Sequence, residues 1–298
     1  MAETAAVYTV PQHHVSQYTA NVRAALVRMG GQLRSHVSVG MYQGEKSQVV
    51  NFIGPVEFVE RTTRYADTVI TEPEHTQRWL SARDFDVAIL IDRIDTLRMI
   101  YDPTSPYVER MREAYGRKED EIIMGRFFDV AKSGKEGGTL VSFPAGDIIA
   151  HGSTRMSVAK LRSARKLLKK RNVDLRIERP KIAVTSEQTD DLLGEVAVGS
   201  NDYNAVKPLV DGEVSRFMGF DFVPIESIVP SYGTSPFVRR CPVWVPSGMH
   251  FGDWQNLNII IGPRPDKNNI KQIHGSFSAD AVRLEEGKVL ALDCVEVA

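Results

Sequence analysis

Apolar positions with the period of an α-helix first predict one long helix at residues 105–129, "SPYVERMREAYGRKEDEIIMGRFFD". Its narrow apolar stripe consists of Val108, Met111, Tyr115 and Ile122. Ser105 is a favourable N-cap, and Pro106 suits the first helical position, where no amide donor is needed. At ~1.5 Å per residue the helix would be roughly 35 Å long, with charge around most of its circumference.

A second helical pattern, "SVAKLRSARKLLKKRN" at residues 157–172, has one apolar face and one basic face. Asn172 is a plausible C-terminal stop. The basic face comprises Lys160, Arg162, Arg165, Lys166, Lys169, Lys170 and Arg171. Clustered cations gain from counterion release, so this face is the best local candidate for phosphate contact. A solvated face is the favoured interpretation, because no aromatic residues are interleaved with the cations.

Short apolar runs elsewhere predict β-strands mixed with helices. The strand patterns are "FDVAILID", "KIAVTS", "GFDFVPI", "IKQIHGSFSADAVRL" and "VLALDCVEV", and "EQTDDLL" reads as a short helix capped by Ser186. Residues 36–82 are rich in β-formers and turns, and they carry an excursion with charges of both signs. This excursion has too few apolar positions to build a core, so it either lies in solvent or docks on something else.

Composition narrows the class of protein. The chain has 298 residues, of which 42% are hydrophobic and 25% charged, as in ordinary globular proteins. Its formal net charge is −1, so contact with nucleic acid has to come from local patches. We expect folding in a cytosol without a membrane, because the start resembles no secretory signal and no apolar run reaches membrane-spanning length. Cys241 and Cys294 lack metal-ligand spacing and are predicted to be reduced, buried thiols.

Candidate chemistry is sparse. Glu119, Asp120 and Glu121 are consecutive, and consecutive helical residues point about 100° apart, so a solvated face is the better explanation. Asp92, Asp95 and His151 match no ligand or triad spacing, and a metal-dependent hydrolase built on them is only a remote alternative. We therefore predict no catalytic residue, no cofactor and no metal.

Several sequence words resemble one protein family across nearly the whole chain. The words are "VERTTRYADT" (59–68), "LIDRIDTLRMIYDPTSPY" (90–107), "GRKEDEII" (116–123), "DYNAVKPLVDGEVSRFMGFDFV" (202–223) and "RLEEGKVL" (283–290). In this order they resemble the major capsid proteins of tailed bacteriophages, which have the Hong Kong 97-type fold. None of the words is catalytic, so their specificity comes from number and order.

The resemblance implies an α+β fold with an N-terminal arm, an extended β-hairpin loop (E-loop), a peripheral domain with a long spine helix, and an axial domain. The implied division is an arm at 1–35, the extended loop at 36–82, the peripheral domain at 83–152 with the spine helix at 105–129, the axial domain at 153–262, and strands returning to the peripheral domain at 263–298.

The implied function is structural self-assembly as hexamers and pentamers into an icosahedral head shell around double-stranded DNA. The protein would reside in the virion after assembly in the bacterial host cytoplasm. A portal protein is an expected partner, and a separate scaffold protein and decoration proteins stay open. An encapsulin-like nanocompartment that encloses a cargo protein is the main alternative. Candidate intersubunit contacts are Glu60, Arg61, Arg64, Asp67 and Arg78, and candidate DNA-facing residues are Arg23, Arg28 and Arg34.

Overall fold

Three β-sheets and three α-helices make up the part of the chain that the computed structural model describes. The described residues are 30–54, 56–64, 67–68, 70–92, 104–195, 216–228 and 237–296. The helices are α1 (Thr104–Arg126), α2 (Val158–Lys170) and α3 (Ser186–Gly194). The strands are β1 (Ser38–Met41), β2 (Lys46–Ile53), β3 (His75–Ser81), β4 (Asp84–Ile91), β5 (Ala131–Ser133), β6 (Thr139–Val141), β7 (Ile148–Ile149), β8 (Lys181–Val184), β9 (Arg216–Phe217), β10 (Phe220–Pro224), β11 (Phe237–Trp244), β12 (Met249–Arg264), β13 (Ile270–Arg283) and β14 (Val289–Glu296).

The first sheet has the order β1-β12-β13-β4 and carries α1 on one face. Strands β12 and β13 form a long antiparallel hairpin, β1 pairs in parallel with β12, and β4 pairs antiparallel with β13. Phe277 of β13 stacks on Phe85 and meets the ring of Tyr115 edge-on, so the predicted stripe of α1 packs on its own sheet.

The second sheet has six strands in the order β7-β14-β11-β8-β10-β9. Its centre is buried on both faces: every residue of β14 from Val289 to Cys294 is buried. Helix α2 contributes Leu161, Ala164 and Leu168 to the same core, which continues to Phe277 in the first sheet. The third sheet, β2-β3-β5-β6, is smaller and carries a long hairpin formed by β2 and β3.

The helix ends follow the sequence signals closely but not at every residue. Helix α2 is capped by Ser157, which accepts a hydrogen bond from the Lys160 amide, and Asn172 adopts the left-handed conformation just after its end. Helix α1 begins at Thr104, so Ser105 lies inside the first turn, where Pro106 is still tolerated because those amides lack helical partners. Helix α3 is capped by Thr185 and not by Ser186, because Gln188 accepts from the Thr185 amide at 3.1 Å.

Strand pairing divides the chain differently from the predicted domain boundaries. Strand β12 falls in the predicted axial segment, yet it pairs with β1 and β13 in the sheet that carries α1. Strand β14 falls in the predicted peripheral segment, yet it lies between β7 and β11 in the six-stranded sheet. Periodicity identifies each strand without indicating its partner, so the sheet to which a strand belongs could not be predicted from the sequence.

Candidate assembly surfaces

The β2–β3 hairpin holds open a long excursion that we name the extended segment, residues 54–74. Pairing runs from Lys46 opposite Ser81 to Ile53 opposite His75, and the Gly54 amide then donates to the Glu74 carbonyl at 2.7 Å. Residues 55, 65, 66 and 69 of the segment lie outside the described residues. The base is thus fixed by backbone hydrogen bonds, and the segment projects from it.

The extended segment exposes apolar side chains that its charge pattern conceals. Phe58 is fully exposed, and Val56, Val59 and Ile70 are each more than half exposed. Exposed apolar side chains in this number lower the solubility of a protein unless another surface covers them. Sequence reasoning identified the charges here and missed these residues, although the word "PVEFVE" places two apolar residues before each glutamate and could have indicated them.

Four of the five predicted contact residues lie on this segment, and one does not. Glu60, Arg61, Arg64 and Asp67 are exposed, and Arg61 Nε donates to the Thr63 carbonyl at 3.2 Å within the segment. Arg78, by contrast, is buried on β3. Its Nε donates to the Leu284 carbonyl at 2.8 Å, and its guanidinium pairs with Glu286 at 2.5 Å. Within the described structure Arg78 therefore anchors the hairpin to its own subunit.

A second buried arginine completes that anchor. Arg283 is fully buried and donates to the carbonyls of Phe127 at 2.8 Å, Asp129 at 3.0 Å and Val141 at 3.3 Å. Burial lowers the pKa of Arg283, and the nearby Glu286 carboxylate opposes that effect. The Arg283 guanidinium therefore joins the end of α1, the β5–β6 hairpin and β13. No pattern in the sequence indicated this role.

Residues 30–34 dock on the middle of α1. The two oxygens of Asp120 accept hydrogen bonds from the amides of Gly31 and Leu33, both at 2.9 Å, and Gly31 also donates to the Gly116 carbonyl at 2.9 Å. The backbones touch, since a Cβ on Gly116 would lie 2.9 Å from the Gly30 carbonyl carbon. This crossing needs glycine both in the docked segment and on the helix.

The docking corrects the solvated-face interpretation of the acidic run in α1. Glu119 and Asp120 are buried, whereas Glu121 is exposed and pairs with Lys118 at 2.9 Å. Burial raises the pKa of Glu119, while hydrogen bonds from Tyr115 and Arg34 oppose the rise. The carboxylates of Glu119 and Asp120 therefore stabilise the folded subunit and do not form a solvated face.

Arg34 lies in a neutralised site. Its guanidinium contacts the carboxylates of Glu119 and Asp253 and lies over the ring of Phe251, 5.3 Å from its centroid. Two carboxylates leave no free positive charge for DNA phosphate at this position. Arg23 and Arg28, the other predicted DNA-facing residues, lie outside the described residues.

Three residues of the basic face of α2 have partners within the described part of the chain, and four are exposed. Lys160 is buried and donates to the carbonyls of Thr154 at 2.7 Å and Asp293 at 2.9 Å, and burial lowers its pKa. Arg171 pairs with Asp147, and Arg165 donates to the Met218 carbonyl. The other four residues of the face are exposed: Arg162, Lys166, Lys169 and Lys170.

The residues of the remote hydrolase alternative do not form a described site. Asp92 is exposed after β4, the ring of His151 accepts from the Ser153 amide at 3.0 Å, and Asp95 lies outside the described residues. Among described residues, no three His, Cys, Asp or Glu side chains are placed to hold a metal ion.

Cys241 and Cys294 are buried free thiols. Within the same ranges, no helix is long and apolar enough to cross a membrane.

Comparison with known proteins assigns the chain to a class. A family model described as phage capsid protein matches residues 10–296. No curated protein matches the sequence. The chain therefore belongs to the phage capsid protein family, and its function is that of a capsid shell protein.

Solved capsid structures share the fold at low identity. The asymmetric unit of the bacteriophage PhiM1 mature capsid aligns with a TM-score of 0.72 at 13% identity, covering 96% of this chain and 93% of that one. The capsid of Ralstonia phage GP4 aligns at 0.71 and 12%, covering 100% and 99%. The capsid of Cyanophage P-SCSP1u aligns at 0.71 and 12%, covering 93% and 92%. The chain thus has the Hong Kong 97-like capsid fold that the sequence words predicted.

Proposed function

We propose that copies of this chain assemble as hexamers and pentamers into an icosahedral phage head that encloses double-stranded DNA. The family match over nearly the whole chain carries the proposal. A shell is stabilised by many modest contacts between identical copies, which suits a net charge of −1 and exposed segments of mixed sign. The role is structural and needs no catalytic residue, cofactor or metal.

Electron microscopy of the purified protein, expressed alone and with a scaffold protein, tests this proposal. We expect closed shells with icosahedral symmetry, and particles made in an infected host that contain DNA and a portal. Small soluble oligomers under all conditions would overturn it. Shells that hold a cargo enzyme and no DNA would instead identify a nanocompartment.

The proposed intersubunit contact is the extended segment, which reaches over a neighbouring copy. Support comes from its fixed base and from its exposed Phe58, Glu60, Arg61, Arg64 and Asp67. In a docked segment these charges pair with carboxylates and cations of the neighbour, so they contribute to assembly and not to subunit folding.

Charge reversal separates assembly from folding. Arg61→Glu or Arg64→Glu should reduce the yield of shells while leaving the subunit melting temperature within a degree or two, because both side chains are exposed. Arg176→Glu is the matched control, since Arg176 is exposed on another surface and undergoes the same change of charge. Equal loss of assembly and of subunit stability at position 61 or 64 would contradict the contact.

A further inference from the structure

Four cations of α2 have no partner among the residues that the structure describes. We name Arg162, Lys166, Lys169 and Lys170 the exposed basic face. None of the four forms a hydrogen bond or ion pair with any residue that the structure describes. The segment 157–173 contains no aspartate or glutamate, so no carboxylate of the helix itself can pair with them.

On the exposed surface of helix α1, in contrast to α2, cations pair with carboxylates of the same helix. There Arg110 pairs with Glu113 at 2.7 Å, and Lys118 pairs with Glu121 at 2.9 Å. On α2, Arg162 and Lys166, and then Lys166 and Lys170, lie four residues apart as like charges. Like charges at this spacing destabilise a helix. Lys169 and Lys170 gain from the helix dipole in the last turn, whereas Arg162 and Lys166 lie too far from it.

The groove beside the exposed basic face is open enough to admit a polymer. A shallow groove of about 590 Å³ runs along α2 and is lined by Arg162, Arg165, Lys166 and Lys169. Met218 closes one side, where its carbonyl holds the Arg165 guanidinium. From Arg162 to Lys170 the cations span about 12 Å at ~1.5 Å per residue. That distance covers roughly three or four phosphates of a strand in which charges recur every ~3.4 Å.

We propose that the exposed basic face binds the phosphate backbone of duplex DNA without reading its sequence. The groove residues include no aromatic side chain on which unpaired bases could stack, which favours a duplex over a single strand. Arg34 cannot supply this contact, because two carboxylates neutralise it. The inference rests on the proposed function, since a head that encloses DNA presents this polymer to its subunits.

Salt-dependent DNA binding tests the inference on purified subunits. The probe is a fluorescein-labelled 30-base-pair duplex, and the readout is fluorescence anisotropy at several salt concentrations. The test variant K166Q/K169Q/K170Q keeps good helix formers at exposed positions. The control K46Q/K135Q/K267Q removes three exposed lysines from other surfaces, so both variants carry the same net charge.

We expect the test variant to lose affinity at least tenfold. Its slope of log K against log salt should fall by about 0.9 for each phosphate contact removed, and the control should keep the wild-type slope. Equal weakening of both variants would overturn the inference, since net charge alone would then explain binding. No weakening of either would also overturn it, as would a test variant that binds DNA normally but fails to assemble. Single K166Q supplies the comparison if the triple variant unfolds, and shell formation by the wild-type protein is scored separately, so the proposed function can stand when this inference fails.

Discussion

Gly116 and Gly125 lie on the same helix in opposite situations. A Cβ on Gly116 would come within 2.9 Å of the Gly30 carbonyl carbon and 3.0 Å of the Gly31 amide nitrogen. A Cβ on Gly125 would meet nothing within 4 Å. Backbone atoms cannot swing aside as a flexible side chain can, so the two positions should respond to alanine with opposite signs.

Gly125→Ala should raise the free energy of unfolding by about 0.5–1 kcal/mol through helix propensity. Gly116→Ala should lower it by about 1–3 kcal/mol, because the docked segment has to move. Urea unfolding of purified subunits measures both. Stabilisation by both substitutions would mean that residues 30 and 31 do not cross the helix as described.

His250 is held in its neutral form by two hydroxyl groups. Ser38 Oγ donates to the Met249 carbonyl at 2.7 Å, so it accepts from His250 Nδ1 at 2.8 Å. His250 Nε2 then accepts from the Tyr42 hydroxyl at 2.7 Å. Burial lowers the pKa of His250 from its usual 6.5 to about 4. Protonation would leave a charge in a site satisfied without one.

Stability should therefore fall as the pH drops from about 6.5 to about 4. In that window His250 binds a proton in the unfolded chain but not in the folded one. Acid therefore lowers the free energy of unfolding by at most about 3 kcal/mol, at ~1.36 kcal/mol per pKa unit. Burial raises the pKa of Glu119 and Asp253, and those carboxyls act in the opposite direction. His250→Gln removes only the histidine contribution. Its unfolding free energy, measured from pH 7 to 4, should lose less than that of the wild type, and equal slopes would refute the assignment.

At the scale of elements, the carboxylate of Asp120 joins residues 30–34 to α1. Asp120→Ala leaves the amides of Gly31 and Leu33 without their acceptor and should lower the unfolding free energy by about 2–4 kcal/mol. Glu121→Ala on the next position is the control, with a change within about 0.5 kcal/mol, because that side chain is exposed. Similar losses for the two variants, measured by urea unfolding, would contradict the docking.

The extended segment has its own test in Phe58. Phe58→Ser should reduce shell assembly without changing the subunit melting temperature, because the ring is fully exposed within the subunit. Ile177→Ser removes another exposed apolar side chain, on a different surface, and should leave assembly near the wild-type level. Light scattering during assembly measures both. An assembly rate unchanged by Phe58→Ser would show that the ring meets no partner in the shell.

Prediction from sequence worked best where the signal was local. The apolar face of α2, the strand pattern of β13 and the helix stop at Asn172 each depend on neighbours within a few residues, and all were confirmed. The prediction that Asp120 belongs to a solvated face was wrong, because the amides that it binds lie 87 and 89 residues away in the sequence. Angular spacing on a helix shows that three carboxylates diverge, but not what each one meets.

At the scale of the whole molecule, the sheets join segments that are far apart in the chain. Strand β1 pairs with β12, β4 with β13, and β7 with β14. A chain truncated after Lys288 lacks β14 and leaves a gap between β7 and β11, so it should show no cooperative unfolding transition. Differential scanning calorimetry checks this. A sharp transition from the truncated chain would show that the six-stranded sheet can close without β14.

The central position of β14 has a consequence for synthesis on the ribosome. Neither β7 nor β11 has its shared neighbour until residues 289–296 have left the exit tunnel, by which time the rest of the described chain has already been made. Pairings over such separations are slow to form, and in the meantime unpaired strand edges are open to aggregation. We therefore expect unfinished or prematurely terminated chains to be clients of chaperones and proteases, so that subunits of defective length are removed before they can join a growing particle.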